Sequence, residues 1–195
     1  MSDKTLQPEV IVFAGPNGSG KSTITKFAKT VGAYINADEI KRTNHCSDLE
    51  AAQMAESLRE EAIRNREDFT FETVLSTRRN LDLLIKAKQQ GYFVRCFYVL
   101  TADVEVNVAR VRMREMQGGH GVPEEKIRIR YERALKLIPE LTEICDILHL
   151  YDNTTEPQRI FKKRKTKYFC WPNSRWNEND IKQLTAVSSF DILEE

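Results

Sequence analysis

Charge of one sign is missing from this chain: 30 Lys and Arg stand against 29 Asp and Glu, a net charge of +1. A balance that close creates no global field, so it argues against nucleic acid and against an anionic membrane as partners. Long hydrophobic runs are missing as well. No apolar run approaches the roughly 20 residues of a spanning helix, and the polar first nine residues lack the apolar stretch of a signal peptide. Cysteine is sparse: Cys46, Cys96, Cys145 and Cys170 are scattered without C-x-x-C spacing. That supports neither a disulfide framework nor a zinc knuckle, and makes a reducing cytoplasm the simplest compartment. Repeats and low-complexity segments are absent. What remains, 41% hydrophobic and 30% charged over 195 residues, reads as one globular domain over 1–195, with an appendage from about 154 to the end.

The most informative stretch is Val10 to Thr23, VIVFAGPNGSGKST. Val10 to Ala14 is an apolar run suited to a buried parallel strand, Gly15 to Ser22 fit G-x-x-x-x-G-K-[ST], and a helical pattern follows from Thr23 to Val31. Strand, glycine loop and helix in that order are the context of a P-loop, which holds a nucleoside triphosphate. Glycines at 15, 18 and 20 let backbone amides close on a polyphosphate, while Lys21 reaches its terminal phosphates and the Ser22 hydroxyl suits Mg²⁺. The nucleotide-binding set is Gly15, Pro16, Asn17, Gly18, Ser19, Gly20, Lys21, Ser22 and Thr23, with ATP or GTP as donor.

Downstream, Gly32 reads as a helix stop and Ala33–Ala37 as a second strand that delivers Asp38 to its carboxyl end, where α/β sheets keep their ligands. Asp38 also suits the N-cap of a short helix. Ser47-x-x-Glu50 is a capping box opening a helix to about Arg66, with Leu49, Ala52, Ala55, Leu58, Ala62 and Ile63 inward and Arg59 on the solvated side. FTFETVL, Phe69 to Leu75, predicts a strand with Glu72 and Thr73 near its end. A carboxylate inside so apolar a strand either pairs with a cation or faces substrate or magnesium. Tyr92 to Leu100 predicts a central strand, and Asp146 to Tyr151 the last one.

Between these strands, about 103–138, two helices flank Gly118–Gly121, the second begun by Pro123. Six arginines ride on them. Arg112, Arg128 and Arg133 suit a solvated surface, whereas Arg110, Arg114 and Arg130 suit a lid that brings cations to a phosphoryl group. His120 in the loop is either a substrate contact or a loop cap. Phe161 to Lys167, basic and followed by Phe169 and Trp171, reads as an edge strand guarded by lysines, and Asn177 to Val187 as a closing helix. The expected fold is therefore α/β, a three-layer P-loop kinase fold with a mainly parallel sheet and an arginine-bearing helical lid.

An ordered set of segments resembles the zeta toxin family of P-loop kinases: GPNGSGKST, NADEI at Asn36–Ile40, FETVLST at Phe71–Thr77, the R-V-x-x-R-x-x-x-G-G-H run from Arg110, VPEEKIRIRYERAL and LYDN at Leu150–Asn153. The resemblance implies a kinase in which Lys21 and Ser22 hold nucleotide and magnesium and Asp38 is the base activating an acceptor hydroxyl. It places Glu72 and Thr73 in the acceptor pocket and Arg110, Arg114 and Arg130 in the lid. It further implies a sugar-nucleotide acceptor such as UDP-N-acetylglucosamine and a small antitoxin partner. Other readings of the same machinery are a kinase for a nucleoside, antibiotic or polynucleotide end, or a nucleotide switch that binds nucleic acid through Lys162–Lys167.

Overall fold

The computed structural model describes residues 7–119 and 121–193. β1 (Glu9–Ala14) leads through the glycine loop into α1 (Lys21–Thr25), followed by β2 (Ala33–Ile35), α2 (Ala37–Asn44), α3 (Asp48–Asn65), β3 (Phe69–Thr73), α4 (Arg79–Gln89) and β4 (Phe93–Leu100). α5 (Val104–Met116) and α6 (Glu124–Lys136) form a hairpin. Then come α7 (Ile138–Ile144), β5 (Ile147–Asp152), β6 (Gln158–Arg164), β7 (Lys167–Cys170), α8 (Glu178–Thr185) and β8 (Asp191–Ile192).

All strands join one sheet in the order β2-β3-β1-β4-β5-β6-β7-β8. β2, β3, β1, β4 and β5 pair in parallel, as expected of apolar strands joined by helices. β1 lies between β3 and β4, so the chain builds outward from it first on one side and then on the other. Such a switch point opens a crevice beyond the strand's carboxyl end, and the glycine loop sits in it. One sheet face packs Val10, Val12, Phe71 and Tyr98 against Ala55, Leu84, Leu141 and Ile181 of α3, α4, α7 and α8. The opposite face packs Ile11, Phe13 and Val99 under Ile24 of α1. A separate small core, Val108, Val111 and Ile127, joins α5 to α6. The four cysteines are free thiols, and no helix among the described residues is long and apolar enough to cross a membrane.

Several expectations change. The first helix stops at Thr25 rather than Val31. The Val31 N–H donates to Thr70 Oγ1 at 2.9 Å, and that hydroxyl donates back to the Val31 carbonyl at 2.8 Å, tying the segment to β3 instead of to helical partners. Gly32 lies against the Asp68 carbonyl and ends no helix. Asn36, not Asp38, caps α2, its Oδ1 accepting from the Asp38 and Glu39 N–H groups. The capping box of α3 forms as predicted, but its buried face is rotated: Leu49 and Leu58 stay 68% and 43% exposed, while Arg59 is only 7% exposed, its guanidinium 5.1 Å from the Phe71 ring centroid. β5 is not the last strand and β6 is not an edge, because β6 runs antiparallel between β5 and β7. Buried Lys163 on β6 donates to the Thr142 and Glu143 carbonyls at the end of α7, a task for a lysine that solvation does not suggest. Pro123 precedes α6 as its N-cap.

Candidate active site

The glycine loop is held from two sides. Asn153, just past β5, donates its Nδ2–H to the Ser19 carbonyl at 2.8 Å, and Asn107 of α5 donates to the Asn17 carbonyl at 2.6 Å. Buried amides of this kind fix a loop only when both ends are satisfied; Asn107 Oδ1 completes its set by accepting from the Thr101 hydroxyl. The approach is close enough to demand glycine. A Cβ on Gly20 would lie 2.1 Å from Asn153 Nδ2, and one on Gly15 would lie 2.0 Å from the Val99 carbonyl oxygen. Both glycines also have positive φ, +88° and +142°.

Lys21 opens α1 and turns back over this loop, its Nζ donating to the Gly15 carbonyl at 2.8 Å and the Pro16 carbonyl at 3.3 Å. Burial lowers its pKa to about 8; Glu72 and Asp38 oppose the shift, and Arg114 adds to it. Three expected site residues from separate elements thus act on one ammonium. Ser22 and Asp38 are exposed in the first turns of α1 and α2. Glu72 makes no ion pair within 4 Å among the described residues; its Oε1 accepts from the Tyr34 hydroxyl at 2.5 Å and lies 3.4 Å from the Thr25 hydroxyl, which donates to the Lys21 carbonyl at 2.9 Å. The Tyr34 hydroxyl orients the carboxylate, and its pKa rises through burial and its bond to Glu72. The Thr73 hydroxyl is engaged locally, accepting from the Leu75 N–H at 2.9 Å and from Asn80 Nδ2 at 2.7 Å.

The arginines of the hairpin have different partners. Arg128 pairs with Glu105 and Glu124, and Arg112 with Glu124, bracing α5 against α6. Arg130 Nη1 donates to Asn17 Oδ1 at 3.3 Å, which brings α6 to the loop. Arg110 Nη2 donates to the Thr154 carbonyl at 3.1 Å, beyond β5, while its Nη1 is buried without a hydrogen-bond partner among the described residues. Tyr131 ties α6 to the end of β4, donating to the Thr101 carbonyl at 2.6 Å. His120 lies outside the described residues. Sequence reasoning missed the supports Thr25, Tyr34, Thr101, Asn107 and Asn153. Only Asn153 carried a signal, as the last residue of the LYDN run.

Known proteins resemble this chain in sequence and in fold. A family model described as Zeta toxin matches residues 1–166. A protein of Haemophilus influenzae, described only as uncharacterized, is 32% identical over 132 residues, covering 65% of this chain and 94% of that protein. Among solved structures, the chain is similar to one from the PezAT chromosomal toxin–antitoxin system of Streptococcus pneumoniae, with a TM-score of 0.61 at 18% identity over 96% of this chain and 82% of that one. It is also similar to one from an AvrRxo1-ORF1:AvrRxo1-ORF2 complex, with a TM-score of 0.63 at 14% identity over 92% of this chain and 64% of that one. At such identities the likeness to solved structures is one of fold, whereas the family match spans most of the sequence: the chain belongs to the Zeta toxin family.

Proposed function

We propose that this family member is a kinase that transfers the γ-phosphate of Mg·ATP or Mg·GTP to a hydroxyl of a small molecule. The acceptor class that best suits the family is a sugar nucleotide such as UDP-N-acetylglucosamine. The observation that carries this reading is the convergence at Lys21, where Asp38, Glu72 and Arg114 act on a lysine seated on the glycine loop. A nucleotide-binding module needs the lysine; two carboxylates beside it suit an acceptor hydroxyl.

In this reading the loop amides and Lys21 hold the triphosphate. Asp38 accepts the hydroxyl proton as the acceptor oxygen bonds to the γ-phosphorus and the bond to the bridging oxygen breaks, releasing the nucleoside diphosphate. Glu72 and Thr73, fixed by Tyr34 and Asn80, position the acceptor. Arg110, Arg114 and Arg130 on the α5–α6 hairpin neutralise charge on the migrating group. The donor set fits Mg²⁺. The Ser22 hydroxyl and the nearby carboxylates are hard oxygen donors, and a cation that arrives with phosphates needs only one or two of them. Magnesium supplies charge neutralisation across the transferring phosphates. The partner proposed is a small antitoxin protein, and the compartment a reducing cytoplasm.

The test is incubation with γ-labelled ATP and a bacterial metabolite extract, with identification of whatever acquires label. Lys21→Ala should lower transfer by about a hundredfold or more. Asp38→Asn should bind nucleotide as the wild type does yet fail to label the product. Near-normal transfer by Lys21→Ala would sink the assignment, and loss of nucleotide binding in Asp38→Asn would make Asp38 a metal ligand instead of a base.

A further inference from the structure

The near-neutral net charge conceals a strongly uneven distribution. Beyond β4 the sheet is covered on one side only: α7 and α8 pack on the face that carries Leu148, Leu150, Phe161 and Cys170. The alternate residues of β5, β6 and β7 point the other way and are mostly half-exposed. Along β6 these are Arg159, Lys162 and Arg164, and across from them in register lie Tyr151, His149 and Ile147 of β5. The charges that act on Lys162 are Arg159, Arg164 and Arg95, all of its own sign, and together with burial they lower its pKa. Arg95 is paired with Glu9 at 2.7 Å. Arg159 is held by aromatics instead: its guanidinium lies 5.5 Å from the Tyr151 ring and 5.4 Å from the Trp171 ring, and it donates to the Tyr151 hydroxyl at 3.0 Å. Its Nε has no hydrogen-bond partner among the described residues.

We propose that this open face, Tyr151, Arg159, Lys162, Arg164 and Trp171, binds single-stranded nucleic acid. Mutual repulsion among cations that have no carboxylate partner among the described residues is relieved by a polyanion, and Lys162 and Arg164, alternate residues of β6, stand about 7 Å apart, on the scale of a nucleotide repeat, with Arg159 beyond a bulge. The aromatic partners select the class of polyanion. The ladder Phe97–His149–Tyr151 is stacked internally, with centroids 5.0 and 6.3 Å apart, and stiffens the platform. Trp171, half-exposed just past β7, offers its ring beside the Arg159 guanidinium, a pair suited to an unpaired base. A duplex keeps its base faces covered, and an acidic peptide has none to stack. This surface is independent of phosphoryl transfer.

The probe is a fluorescein-labelled oligothymidylate of about 12 nucleotides, followed by anisotropy at salt from about 50 to about 200 mM. Binding should be saturable, should weaken with salt with a log–log slope near −2 for three neutralised phosphates, and should quench tryptophan fluorescence in the wild type but less in Trp171→Phe. Combined Arg159→Gln, Lys162→Gln and Arg164→Gln should cost at least about tenfold in affinity and flatten the slope. Lys162→Arg should keep binding, and so should Lys21→Ala, which separates this face from the kinase reading. If the combined variant has a lowered melting midpoint, the single Lys162→Gln and Arg164→Gln variants decide. The proposal is overturned by absence of saturable binding at the lowest salt, by unchanged affinity in the neutralised variants, or by a duplex or polyglutamate that competes as well as the single strand.

Discussion

At the scale of single residues, Lys21 is the group whose titration reports on the site. Its pKa in the free protein is lowered to about 8, and the protonated form is the one that pairs with a phosphate. The specificity constant kcat/KM for nucleotide should therefore fall as pH rises through about 8, because that ratio reports the free protein. A bound triphosphate adds negative charge beside the ammonium and raises its pKa, so kcat should hold to higher pH. Glu72→Gln removes a carboxylate that raises the Lys21 pKa, and the kcat/KM limb should then move to lower pH. A limb that stays in place in Glu72→Gln would mean that another group titrates there.

Elements differ in how far their amino acids reveal them. β1, β3, β4 and β5 are legible because buried parallel strands must be apolar runs, and the capping box announces α3. α1 is not legible in length: residues 26–31 keep a helical pattern, and only Thr70, 39 residues downstream of Val31, draws that segment away. α3 misleads by register, since close packing favours Ala51, Ala55 and Ala62 over larger leucines, and Arg59 is buried on an aromatic face. The loop's supports are likewise contacts in space, Asn107 bonding 90 residues back and Asn153 134 residues back. The α5–α6 hairpin carries its own core of Val108, Val111 and Ile127 and its own ion pairs, so it should move as one body. Under the proposed lid role, amide hydrogen exchange in both helices should slow together when Mg·ATP binds, and Arg130→Ala, which loses the contact to Asn17, should lessen that protection. Protection confined to the glycine loop would argue against a lid.

The molecule as a whole places its charges where a sequence total cannot show them, and one consequence concerns stability toward acid. His149 is buried between Phe97 and Tyr151 on the open face of β5, with Arg159, Lys162 and Arg95 near it; burial first, and then these cations, push its pKa down to about 3. The unfolded chain takes up that proton near 6.5, the folded sheet only near 3. Between those values the unfolded state binds more protons, so stability rises with pH and is lost on acidification, by an amount on the order of a few kcal/mol across the whole window. Phenylalanine can keep the stack without titrating. Denaturant midpoints from about pH 7 to about pH 4 should therefore fall more steeply for the wild type than for His149→Phe, with the carboxylates contributing equally to both. Parallel curves would assign the acid sensitivity to the carboxylates alone. A shallower wild-type curve in the presence of a bound oligonucleotide would follow if phosphates offset the cations around His149, linking the acid limb to the open face.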